Sequence, residues 1–169
     1  MAMEMRCATL SLIDELSRQR ATALSLSALF RGAQRAATSS HERVGAARFL
    51  HRELPIRMAQ RIAELQQLPA NLSEEPHIQW VVDTYSAHVQ SLVDAREPET
   101  ALDEEQFSTL IATLLADRTS VPSRLALAAH AHRARATEAN DDRAVDDAME
   151  PFFTSRVGLR FLVEHYLAR

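Results

Sequence analysis

Glycine is almost missing from this chain: Gly32, Gly45 and Gly158 are the three in 169 residues. A Gly-rich phosphate cradle of the Walker or dinucleotide-binding kind needs several closely spaced glycines, so it cannot be assembled here and nucleotide is not expected to bind. Lysine is absent, and every cation outside histidine is one of 19 arginines. The lone Cys7 permits neither an intramolecular disulfide nor a cysteine-based zinc site. There is no run of about 18 apolar residues, the length a membrane-spanning helix requires. The formal charge of −4 does not favour nucleic acid as a partner. Also lacking are an HExxH helix, a pair of Glu-x-x-His motifs of the di-iron kind and a nucleophile elbow.

What is present is a pattern for helices. The composition, 46% apolar and 25% charged, is that of a folded chain, and the length suits one domain. No period-2 stretch or hairpin signature interrupts it, which predicts an all-α fold. A first short helix is expected through Leu10, Ile13 and Leu16, and a second at "SLSALF". From Val44 a long amphipathic segment carries Phe49, Leu50, Leu54, Met58, Ile62 and Leu65 at three- or four-residue steps, with a kink expected near Pro55. A loop at "LPANLSEEP" precedes a second long helix with Ile78, Val81, Val82, Tyr85, Val89 and Leu92 on its apolar face. A third is expected to run from Phe107 through Leu114 and Leu115 to Leu125, kinked at Pro122. A fourth is expected from about Val145 to Leu167, after an acidic break at "TEANDDRAVDD". The economical arrangement is an antiparallel four-helix bundle over residues 41–169, preceded by an extension over 1–40 with short helices.

The closing stretch "TSRVGLRFLVEHYLAR" poses a chemical question. Arg156 and Arg160 stand one helical turn apart, in a row with Met149, Phe152, Phe153, Val163 and Leu167. Arg118 interrupts the apolar face of the expected third helix in the same way. An unpaired buried guanidinium costs several kcal/mol, of order 3–5, so these arginines must reach water or meet an anion. With Tyr85 they suggest a carboxylate pocket between helices, since guanidinium grips a carboxylate through two parallel hydrogen bonds. The alternative is a solvated stripe, because Arg156, Arg160 and Glu164 are successive i, i+4 positions. In "AAHAHRAR", His130 and His132 point to different sides of a helix and cannot ligate one metal together. A surface phosphotransfer histidine remains open for them.

Two stretches carry a resemblance. "RFLHRELPIRMAQRIAELQQLP" (residues 48–69) and "FFTSRVGLRFLVEHYLA" (residues 152–168) resemble the N-terminal domain of the mitochondrial pyruvate dehydrogenase kinases and the branched-chain α-ketoacid dehydrogenase kinase. "LSLSALFRG" and "LLADRTSVPSRLALA" extend the likeness over residues 24–167. The resemblance implies a four-helix regulatory domain in the mitochondrial matrix. The ATP- and magnesium-binding domain that follows in the family is missing here, and through it the family forms homodimers. These residues alone are then expected to hold no cofactor and to phosphorylate nothing. Residue by residue, the family's pocket for a small α-keto or halogenated acid falls on Leu54, Tyr85, Leu114, Arg118, Ser155, Arg156, Leu159 and Arg160. Arg118 replaces a histidine that is usual in the family. The family's docking cleft for the lipoyl domain of the acyltransferase falls on Leu29, Phe30 and Phe49; Phe49 fits the core stripe of its helix equally well. A stand-alone helical adaptor of the same fold is the second reading. The N-terminal acids Glu4, Asp14 and Glu15 are unlike a transit peptide, so a targeting signal is expected outside these residues.

Overall fold

The computed structural model describes residues 2–23, 39–69, 71–134 and 139–168. Among the described residues there are six α-helices and no strand: α1 (Ala2–Ser17), α2 (Ser40–Gln66), α3 (Pro76–Asp94), α4 (Ala101–Leu114), α5 (Ser120–Arg133) and α6 (Ala139–Leu167). A single 3-10 turn, Leu72–Glu74, joins α2 to α3. The helix expected at "SLSALF" lies outside the described residues.

The central element is α2, which packs against α1, α3, α4 and α6, while α3 packs in turn against α5. Its buried positions Leu50, Leu54, Met58, Ile62 and Leu65 recur at three or four residues, so one face of the helix is a continuous apolar stripe. Pro55 is buried within this helix, which continues through it unbroken. On α3 the buried residues are Ile78, Val81, Val82, Tyr85, Val89 and Leu92, the stripe read from the sequence. Pro76 occupies the first turn of α3, where a missing N–H leaves no helical bond unmade. Ile13 of α1 enters the same core as Phe107 and Ile111 of α4, Leu125 of α5 and Phe152 of α6.

The long third helix expected from the sequence is two helices. Leu114 is the last residue of α4, and Asp117 Oδ1 accepts the backbone N–H groups of Thr119 (3.0 Å) and Ser120 (2.9 Å), which starts α5 afresh. Pro122 therefore falls in the first turn of α5, where its ring needs no kink. At α4 the Thr100 hydroxyl accepts from Asp103 N, and the Asp103 carboxylate accepts from Thr100 N, a reciprocal capping box. The last helix begins six residues before the expected Val145, at Ala139. The polar run before Val145 contains neither glycine nor proline, so nothing in it ends a helix.

Two buried carboxylates pin the helices together. Glu53 on α2 accepts from the backbone N–H and hydroxyl of Thr22 and from Arg57 Nε at 3.1 Å, fastening the chain that leaves α1. Glu104 on α4 accepts from Tyr166 Oη on α6 (2.5 Å), Arg43 Nη2 on α2 (2.7 Å) and Ser108 Oγ (3.0 Å). Burial alone would raise the Glu104 pKa, but the hydrogen bonds from Tyr166, Arg43 and Ser108 outweigh it and hold the carboxyl below its usual value.

Candidate functional site: a buried arginine on a neutral phenol

Arg156 sits in the middle of α6 with 7% of its surface exposed. Its Nη1 donates to Tyr85 Oη on α3 at 2.6 Å, and Tyr85 is itself only 3% exposed. Phe152, one turn before Arg156, stacks on the Tyr85 ring at 6.1 Å between centroids, so the phenol is held in place from α6 as well. The second terminal nitrogen, Nη2, is buried and has no hydrogen-bond partner.

The charges around Tyr85 make this arrangement unusual. Burial raises the phenol's pKa and outweighs the opposing pull of Arg156, Arg160 and Arg61, so Tyr85 stays protonated and neutral. Arg160 is accounted for: it donates to the carbonyl oxygens of Leu115 (3.2 Å) and Asp117 (3.3 Å), just past the carboxyl end of α4, and lies 3.3 Å from Glu164 Oε1. Arg61 on α2 pairs with Glu64 at 2.6 Å, although its Nε and Nη1 and Glu64 Oε2 are buried without partners. Burial pushes the Glu64 carboxyl up against the pull of Arg61. Arg156 has a phenol instead of a carboxylate; the nearby charge of Asp117 belongs to an exposed group whose Oδ1 is taken by backbone N–H groups. A guanidinium with an unused buried N–H is a vacant donor for an anion, and hydrogen bonds to a charged group are worth about 1.5–3 kcal/mol each.

Of the residues singled out in the sequence, Leu54, Tyr85, Arg156 and Leu159 are buried, and Leu114, Ser155 and Arg160 are half-buried. Arg118 is placed differently from its expectation on an apolar helix face. Because α4 stops at Leu114, Arg118 falls in the connection to α5, its side chain 71% exposed and 3.4 Å from Glu164. It lines, with Arg160, Glu164, Leu115 and Val163, a small surface cleft of about 170 Å³. The i, i+4 pairing of the solvated-stripe alternative is present between Arg160 and Glu164, but Glu164 is exposed while Arg160 is half-buried and Arg156 buried. Arg61 went unnoticed in the sequence. Arg61 interrupts the α2 stripe between Met58 and Leu65, the same signature that drew attention to Arg118.

Leu29 and Phe30 lie outside the described residues. Phe49 is half-buried; it packs on the core and also lines a groove of about 460 Å³ with Leu16, Thr22, Arg52, Ile56 and Val93. His132 is buried in α5 and His130 exposed, so the two do not share a site.

Residues 23–168 match the family model described as mitochondrial branched-chain α-ketoacid dehydrogenase kinase. Over 121 residues the chain is 31% identical to the mitochondrial [pyruvate dehydrogenase (acetyl-transferring)] kinase of Arabidopsis thaliana, an alignment covering 72% of this chain and 33% of that protein. The chain thus spans about a third of the length of that relative.

Proposed function

Since the chain belongs to the mitochondrial branched-chain α-ketoacid dehydrogenase kinase family, we propose that it acts as the regulatory, partner-docking N-terminal domain of a mitochondrial protein-serine kinase of an α-ketoacid dehydrogenase complex. Its ligand is a small α-keto or halogenated carboxylate, held between α3 and α6. The observation that carries this reading is the buried Arg156 Nη2, left without a partner beside a neutral Tyr85. A carboxylate entering there gives Arg156 the anion that the protein withholds. Arg160, whose charge also acts on Tyr85, adds to the attraction from the cleft side. Leu54 and Leu159 supply the apolar surroundings that suit a short acyl or halogenated chain.

Phosphoryl transfer falls to a nucleotide-binding domain of the longer kinase. Among the described residues, Gly45 and Gly158 each lie inside a helix and not in a phosphate loop. Among the described residues no group of three or more His, Cys, Asp or Glu could hold a metal ion. The groove containing Phe49, open beside α2, suits docking of the acyltransferase lipoyl domain. The test of the carboxylate reading is a thermal-shift titration with dichloroacetate, pyruvate and α-ketoisocaproate. Saturable stabilisation that Arg160→Ala weakens supports it and ranks the two kinase branches; a folded sample unmoved by all three acids refutes it.

A further inference from the structure

His88 stands one turn beyond Tyr85 on α3, and the two rings stack with centroids 6.2 Å apart. Its Nδ1 is buried and has no hydrogen-bond partner. Tyr85 is thus flanked by two incomplete groups from different helices, the Arg156 guanidinium and the His88 imidazole. Burial first, and then the positive charge of Arg156, lowers the His88 pKa and favours the neutral imidazole. A bound anion counters both: it offsets the Arg156 charge, and as an acceptor for an imidazolium N–H it compensates the hydration lost on burial.

We propose that His88 is the second donor to the bound carboxylate, and that it takes up a proton from solvent as the anion enters, making ligand binding proton-linked. This rests on the carboxylate reading of the Arg156 site and deepens it. The charged groups on the surrounding helices leave His88 as the responding group. On α6, Arg156 donates to Tyr85 and Arg160 is engaged by carbonyls and Glu164. From α2, Arg61 is paired with Glu64 and acts on Tyr85. From α5, Arg124 lies over the Trp80 ring at 4.7 Å and contacts His77, and His132 Nε2 is buried without a partner. On α1 the Asp14–Arg18 pair is exposed. The ligand's own carboxyl is ionised throughout the neutral range, so it cannot supply the titration.

By linkage, affinity rises as pH falls between the His88 pKa in the complex and its lower value in the empty protein, by at most about tenfold per pH unit. The experiment is calorimetric titration of the 169-residue chain with dichloroacetate between pH 6 and 8, in buffers of different ionisation enthalpy. The expected result is uptake of up to about one proton per anion and tighter binding at pH 6, both lost in His88→Gln. Binding by the unmodified protein with no proton uptake and a flat pH profile overturns the role of His88 while leaving the carboxylate reading standing. Equal proton uptake by His88→Gln overturns it likewise. Absence of binding at every pH defeats both.

Discussion

Removing the phenol hydroxyl from beside Arg156 should destabilise the protein, and then removing the arginine as well should restore it. In Tyr85→Phe, Arg156 Nη1 loses its 2.6 Å bond to Oη while the guanidinium stays buried. A hydrogen bond to a charged group is worth about 1.5–3 kcal/mol, so the single variant should lose about that much. In Tyr85→Phe/Arg156→Met the unpaired charge and the phenol both disappear and the site becomes apolar. Replacing a buried charge with packed apolar atoms is neutral or stabilising by about 1–4 kcal/mol. The double variant should therefore be about 1.5–7 kcal/mol more stable than Tyr85→Phe alone, at or above the unmodified protein. For a chain of this length each kcal/mol moves the melting temperature by about 2–4 °C, well within reach of calorimetry or urea denaturation. A double variant no more stable than Tyr85→Phe would refute the reasoning, because it would mean that Arg156 carries no uncompensated charge.

Three further outcomes follow from the fold. Leu54→Ala opens a cavity in the centre of α2, where Leu54 is fully buried, and should cost about 2–5 kcal/mol in urea denaturation. The Asp117 carboxyl, held down to about 2 by hydrogen bonds from Ser120 and Thr119, has a depressed folded-state pKa. Its contribution should be complete above the unfolded value near 4, decline as pH falls towards about 2, and vanish in Asp117→Ala, as read from acid denaturation by circular dichroism. Tyr166→Phe takes one donor from buried Glu104, so the carboxyl should titrate at higher pH by NMR and stability should begin to fall earlier on acidification.

The parts of this molecule that were legible in its sequence are those written as apolar periodicity. The α3 stripe from Ile78 to Leu92 and the α2 stripe from Leu50 to Leu65 are both in the structure, because a face that packs on several neighbours tolerates few polar residues. The break between α4 and α5 was not legible, since apolar residues recur on both sides of it and Pro122 drew attention away from the side-chain turn that Asp117 makes. That single misplacement put Arg118 on a helix face when it belongs to an exposed connection. Spacing located Arg156 but could not show that its partner would be a neutral phenol, which depends on the burial of Tyr85 against Phe152 and Arg156 of α6. Arg61 was hidden because a polar residue in an apolar stripe reads as an exception until the packing shows what surrounds it.

The central claim is that a carboxylate accepts from the buried Arg156 Nη2, which no protein group accepts from. The measurement that tests it most directly is crystallography of the protein with dichloroacetate, whose chlorines mark the ligand by anomalous scattering. The account predicts the carboxylate at about 3 Å from Arg156 Nη2, beside Tyr85. Dichloroacetate bound only in the outer cleft against Arg118 and Arg160, with Arg156 still on Tyr85 alone, would contradict it.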